Sequence, residues 1–298
     1  MAMSTSHTPQ AQRGVTLIEL MVGIAIGLLV VAVAMGALMV SRGISGTVTD
    51  ASAIQQQGSY AMRLFGQQLR QAGAMRLNLN PGTVVTEAPY LAPVAFETAA
   101  VAASSPLFSY SANMANQVIT GTASPTALTV GFRRYTEPVF VSAAEQSLSR
   151  NCLGGPDDST STDERMESAF TFDAAANRIL CSGNGLPAQP VLQNVANFQV
   201  RYLLQDNTTT PGIPKFQSVD AAGVTNWAQV QAVEVCLVLY GSEAIDLPAG
   251  SNYTDCDGTT AVDMSTLIGT RARRMHVAFR NVFQLRSQGL IGSVLNPA

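Results

Sequence analysis

The chain has 298 residues, 12% of them charged, with a formal net charge of -3. That length suffices for one large domain or two small ones, and the mildly acidic balance argues against a general polyanion binder. Lys215 is the only lysine, and the four cysteines, Cys152, Cys181, Cys236 and Cys256, are too far apart for a C-x-x-C redox or zinc-knuckle site.

Residues 1–14 are polar and end on Arg13–Gly14. Between Leu20 and Ser41 there is no charged residue. As a helix rising about 1.5 Å per residue this stretch spans roughly 33 Å, matching a hydrocarbon core of about 30 Å. The positive-inside rule leaves the leader cytoplasmic and sends the rest of the chain outward. An ordinary secretory signal, cut near Ala32, Ala34, Gly36 or Ala37, is the competing reading; the apolar run is too long for it, and it starts with an acid.

That acid, Glu19, is expensive in lipid, on the order of 2.5–3.5 kcal/mol at mid-bilayer and less near the interface. A neutralising partner would explain its presence. A cut after Gly14 makes Val15 the new N-terminus, four residues before Glu19 and one helical turn away. The new amine could meet the carboxylate within a subunit or across two neighbours.

Beyond the apolar run, Ile54, Ala61, Leu64, Phe65, Leu69 and Ala72 form one stripe of an amphipathic helix. Gln55, Gln56, Gln57, Gln67, Gln68 and Arg70 fill much of the remaining surface. Gly43, Gly46 and Gly58 are expected to loosen the helix, and Gly73 and Pro81–Gly82 to end it. From about Thr83 the period becomes two. Leu128, Val130 and Phe132 mark one strand, and Phe198, Val200, Tyr202 and Leu204 another. Val233, Val235, Leu237 and Leu239 mark a third, starting near Trp227. On a last strand Met275, Val277, Phe279, Phe283 and Leu285 face the core, with Arg274, His276, Arg280 and Gln284 on the wet side. Loops rich in Ser, Thr, Gly and Asp lie at Val101–Pro125, Asn151–Ser168 and Pro248–Thr260. The expected fold is α+β, an N-terminal helix packed on a C-terminal antiparallel β domain.

Four widely spaced cysteines after a membrane segment suggest two disulfides in an oxidising compartment. Three pairings are possible. Cys152–Cys181 with Cys236–Cys256 is favoured, because each bridge then closes a turn-rich loop of roughly 20–30 residues, contributing about 3 kcal/mol.

Catalytic and metal signatures are weak throughout. His7 and His276 supply neither a nucleophile's base nor metal-ligand spacing. Asp255–Cys256–Asp257–Gly258 lacks the later acids of a calcium loop, and Asp157, Asp158, Asp163 and Glu164 read as a solvated loop. Gly183–Asn184–Gly185 lacks the context of a dinucleotide site. Arg271, Arg273, Arg274 and Arg280 have no interleaved aromatics for base stacking, so they read as an exposed strand face rather than a nucleic-acid site. No enzyme, cofactor or metal is expected.

The string Gly14–Val15–Thr16–Leu17–Ile18–Glu19–Leu20 resembles the class III signal of type IV pilins and type II secretion pseudopilins. The resemblance implies cutting after Gly14 by prepilin peptidase, N-methylation of Val15 and an assembly role for Glu19. Val15 stands where the family usually has phenylalanine, and the membrane helix lacks the family's usual proline. Farther on, Asn151–Gly155, Leu180–Gly185, Pro190–Val195, Trp227, Val233–Cys236 and the final Met275–Asn281 strand follow one another as in PilW-type minor pilins. The implied organisation is a leader at 1–14, a transmembrane and assembly helix at 15–41, a stem helix at 42–76 and a β-rich periplasmic or extracellular domain at 83–298.

The implied function is noncatalytic: priming type IV pilus assembly, and with it twitching motility, at the pilus tip. The implied partners are other minor pilins, the major pilin, prepilin peptidase and the inner-membrane assembly platform. The implied location is the inner membrane, single-pass, with the C-terminal domain in the periplasm and then on the pilus. A minor pseudopilin of type II secretion, or a tip adhesin or DNA-binding subunit, is the alternative.

Overall fold

The computed structural model describes residues 14–74, 118–140, 142–155, 165–206 and 215–285. Pro81–Gly82, His7, the acids at 157, 158, 163 and 164 and most of the leader lie outside them. The chain forms two units, divided between Thr49 and Asp50.

One helix, α1 (Leu17–Gln71), supplies the first unit and opens the second. In the first unit the side chains from Leu17 to Met39 are exposed, an apolar surface long enough to cross a bilayer. Gly43, Gly46 and Gly58 all fall within α1, which is one helix of 55 residues. A glycine costs about 1 kcal/mol against alanine, too little to break a long helix, and Gly58 is used for packing. A Cβ there would collide with the Phe279 ring, and one at Gly66 would press on Phe283. The helix ends where Gly73 takes a left-handed φ of 68° and donates its N–H to the Gly131 carbonyl at 2.9 Å.

Among the described residues thirteen strands follow in the second unit: β1 (Ile119–Ala123), β2 (Thr126–Arg133), β3 (Glu137–Val139), β4 (Ser142–Gln146), β5 (Arg165–Asp173), β6 (Arg178–Gly183) and β7 (Gln189–Leu192), then β8 (Val195–Asp206), β9 (Lys215–Val219), β10 (Val230–Tyr240), β11 (Asn252–Thr254), β12 (Ala261–Asp263) and β13 (His276–Gln284). They build a five-stranded sheet, β1-β2-β5-β6-β7, and a four-stranded sheet, β13-β10-β8-β9. All pairings are antiparallel, with β3–β4 and β11–β12 as separate hairpins.

The predicted helix stripe is the keel of the core. Ile54, Ala61, Phe65, Leu69 and Ala72 are buried, while Leu64 is half-buried at its margin. Phe65 sits where helix and both sheets meet. Its ring centroid lies 4.9 Å from that of Phe170 on β5 and 5.5 Å from that of Phe198 on β8, spacings at which aromatic pairs add to plain area burial. Leu128, Val130, Phe198, Val200, Tyr202, Val233, Val235, Leu237 and Phe283 complete the same cluster. Burial pushes the Tyr202 hydroxyl's pKa upward, and its ring meets Trp227 edge-on at 4.9 Å.

Two expectations fail on the outer face of the four-stranded sheet. The loop at Pro248–Thr260 contains β11, which pairs with β12 to form a cover. The Cys236–Cys256 bridge holds that cover against β10, beside Val238, Tyr253 and Ala196. His276 is therefore not wet. It is 4% exposed, stacked on Tyr253 with ring centroids 5.1 Å apart, and its backbone N–H meets Met264 Sδ. Period-two alternation identified its face correctly, but a strand's own sequence carries no sign that a distant loop will cover it.

Candidate assembly site

At the N-terminus the helix starts at Leu17, so Thr16 is the N-cap and Glu19 the third helical residue. The Thr16 backbone N–H and the Thr16 hydroxyl both donate to Glu19 Oε2 at 2.9 Å. The Glu19 N–H lies 3.3 Å from Thr16 Oγ1. This is a reciprocal capping box, in which Ser or Thr and a Glu three residues later satisfy each other's orphan groups. The carboxylate also sits in the first turn, where the helix dipole favours negative charge. Val15 lies outside the helix, so the one-turn spacing expected between Val15 and Glu19 does not apply: Thr16 takes the cap position. Oε2 is occupied, while Oε1 makes no hydrogen bond among the described residues. Gly14 has open space around it, and Val15 is 74% exposed. The peptide bond between them is sterically accessible.

In the second unit two polar residues that periodicity could not single out anchor the helix. Gln68, grouped with the exposed glutamines by sequence, is 2% exposed. Its Nε2 donates to the Arg150 carbonyl at 3.0 Å, and its Oε1 accepts from the Ser168 hydroxyl at 2.9 Å. Ser168 Oγ in turn accepts the Cys152 N–H at 2.9 Å. One glutamine thus joins the helix to β5 and to the loop closed by the Cys152–Cys181 bridge. Asp50, 3% exposed, accepts from the Ser242 N–H at 2.8 Å and from its hydroxyl at 3.1 Å. Gly241 leaves room for that carboxylate, since a Cβ there would overlap it. The only sequence trace of Asp50 is an acid one turn before Ile54, too common a spacing to notice.

The arginine cluster is taken up by the protein itself. Arg273 pairs with Asp246 at 2.7 Å and Arg280 with Glu234 at 3.1 Å. Arg274 donates to the carbonyls of Gly241 and Ser242, and Arg271 to that of Ala196. Each of the four therefore has a partner within the chain, though the Arg273–Asp246 pair is largely exposed. Asp255 accepts from Asn197 at 2.8 Å, and Asp257 caps the turn at Thr259 and Thr260. Hydrogen bonds from Thr260 and Thr259 hold the exposed Asp257 carboxyl down to about 2. The described residues contain no cluster of three or more His, Cys, Asp or Glu able to hold a metal.

Residues 163–287 match the family model described as type IV pilus-assembly protein W, and residues 9–35 match the prokaryotic N-terminal methylation motif. No curated protein is significantly similar to the chain. A solved type IV-like pilin from Thermus thermophilus aligns at 16% identity over 56% of this chain and 81% of its own. Its TM-score of 0.29 is too low to relate individual strands. The chain combines an N-terminal helix long and apolar enough to cross a membrane, which overlaps the methylation-motif match, with a β-rich region that overlaps the match to the pilus-assembly model.

Proposed function

We propose that the chain is a noncatalytic minor pilin that primes type IV pilus assembly with other minor pilins at the fibre tip. In this reading prepilin peptidase cuts between Gly14 and Val15, and the new amine of Val15 is methylated. The second unit then stands in the periplasm, ahead of incorporation at the cell surface. The observation that carries the reading is the Gly14–Leu20 junction. An open Gly–Val bond precedes a capped helix whose apolar surface is bare from Leu17 to Met39, and it coincides with the methylation-motif match at residues 9–35.

Glu19 has two duties in this scheme. Oε2 closes the cap of its own helix, and Oε1 remains for the N-terminal amine of a neighbouring subunit. The cap lowers the cost of holding the acid at the membrane edge, because two of the hydrogen bonds that water would give are supplied by Thr16. A DNA-binding tip subunit is the weaker reading, since Arg271, Arg273, Arg274 and Arg280 are committed to partners within the chain.

Mass spectrometry of the mature N-terminal peptide tests the reading. The expected species begins at Val15 and carries one added methyl group. A mature chain beginning after Ala34 or Ala37 would identify an ordinary secretory signal and remove the assembly role.

A further inference from the structure

Among the described residues, the hydrogen-bonding pattern of β13 leaves one edge of the four-stranded sheet unpaired. Every β10–β13 partner pair from Ala232↔Gln284 to Tyr240↔His276 keeps one register, without a bulge. At its two ends the Gly241 N–H donates to the Met275 carbonyl and the Leu285 N–H to the Gln231 carbonyl, both at 2.9 Å. Odd-numbered residues of β13 therefore turn their backbone groups toward β10. In an antiparallel strand the intervening residues must turn theirs the other way. Those residues are His276, Ala278, Arg280, Val282 and Gln284.

Two of these outward groups have stand-in partners. Met264 Sδ covers the His276 N–H, and the neighbouring Asn281 Oδ1 takes the Val282 N–H at 2.9 Å. From Ala278 to Gln284 no described strand pairs with the outer edge. An unpaired edge is a template for another strand, and proteins usually blunt it with charge, proline or a cover. Here the segment has no proline and one arginine, which is already tied to Glu234.

Beside this edge, on the helix side of the sheet, runs a groove of about 660 Å³. Met62, Gly66 and Phe283 line it together with Arg63, Arg70 and Asn281. Neither arginine makes an ion pair among the described residues. From Ala51 to Ala74 the chain has two arginines and no acid, and β13 has no acid either. A strand laid on the β13 edge would send every second side chain toward the groove.

We propose that this edge and groove receive an extended segment of a different subunit as an added β-strand, with acidic side chains at its groove-facing positions. The backbone edge supplies affinity and the two guanidinium groups supply selection. A second copy of this chain is the poorer occupant. Its own β13 brings no acid to set against Arg63 and Arg70, and the second copy's Arg63 and Arg70 would add to the positive charge beside the joint. The proposal rests on the assembly reading for the identity of its partner and goes beyond it in naming the contact.

The test places a photo-crosslinking amino acid at Gln284 of the full-length chain in cells that are assembling pili. The expected result is one discrete adduct whose crosslinked peptide is an acid-bearing extended segment of another pilus subunit. Arg63→Glu with Arg70→Glu should cut the adduct about tenfold, and Val282→Pro should abolish it. The proline falls on an outward N–H, where an edge strand tolerates it. An unchanged melting curve of each variant in detergent shows that the fold is intact, and the charge-reversed pair, being exposed, carries the test if the proline variant unfolds. The same probe at Gln217 on β9, the opposite edge of the sheet, should yield an adduct unaffected by the arginine changes, or none. No adduct at Gln284, an adduct with a second copy of this chain, or one indifferent to charge reversal would overturn the proposal. Loss of the adduct in these variants with normal piliation would support the docking and show that piliation does not depend on it, leaving the assembly reading to its own test.

Discussion

Replacing Gln68 by Met keeps nearly the same volume and removes both polar atoms from the joint between helix, β5 and the Cys152 loop. The Ser168 hydroxyl is fully buried and loses its acceptor. The Arg150 carbonyl loses the Gln68 amide as a donor. A buried group left without its partner costs about 1–3 kcal/mol, and a partly solvated one less. The sum is about 2–4 kcal/mol, with little cavity term to add. For a domain of this size about 1 kcal/mol moves the melting temperature by roughly 2–4 °C, so Gln68→Met should melt about 5–15 °C below the parent. The assay is thermal unfolding of the processed protein in detergent, followed by near-UV circular dichroism, with the exposed Gln67→Met as the control. Equal melting temperatures for the two variants would refute the buried bridge.

Two further outcomes follow from packing and charge. Gly58→Val should destabilise the second unit by about 1–3 kcal/mol, the usual cost of overpacking, because its Cβ would meet the Phe279 ring; a stability equal to the parent would show that the helix and β13 are not in contact there. Burial beside Tyr240 and Tyr253 lowers the His276 pKa, and the nearby Arg271 charge adds to the shift, against the hydrogen bond to the Arg274 carbonyl. Above the unfolded-state value of about 6.5 the imidazole is neutral in both states and costs nothing. As pH falls below it the unfolded state takes up the proton first, so stability should drop by at most about 1.4 kcal/mol per pH unit until the folded pKa is reached. His276→Phe should flatten that slope in urea unfolding measured from pH 7 to 5, and an unchanged slope would assign the acid sensitivity to other groups.

How much of this was legible in the sequence depends on the range of the interaction involved. The membrane-length helix, the Ile54–Ala72 stripe and the core faces of β2, β8, β10 and β13 are local periodicities, and the structure reproduces them. The Thr16–Glu19 capping box was equally local, since Thr-x-x-Glu before an apolar run is its signature. The Val15 amine, one residue before Thr16, competes with it as a reading of the same carboxylate. Gln68 and His276 were misplaced because their partners are not local. Gln68 belongs to a row of similar glutamines, and only the Ser168 and Arg150 groups brought over it by β5 and the disulfide loop make it a core residue. His276 lies on the face its alternation assigns, and becomes buried because Cys236–Cys256 draws a hairpin across that face. Arg273 and Arg280 lie on the exposed face that the sequence indicates, and only their partners, Asp246 and Glu234, together with the three carbonyls that Arg271 and Arg274 reach, are too distant in sequence to be read from it.

The central claim is that Glu19 serves assembly rather than the fold of the second unit. At an effective dielectric of about 20, a carboxylate and an amine 4 Å apart attract by roughly 4 kcal/mol, and desolvation offsets part of it. A net gain of about 1–2 kcal/mol changes docking by roughly five- to thirtyfold. Glu19→Ala also opens the capping box, costing the first helical turn about 1 kcal/mol, while removing a charge that lipid accepts poorly. The most direct measurement counts surface pili and processed, membrane-retained protein in the same cells expressing Glu19→Ala. The account predicts normal amounts of the processed protein with at least a fivefold fall in pili; normal piliation at normal protein levels would contradict it.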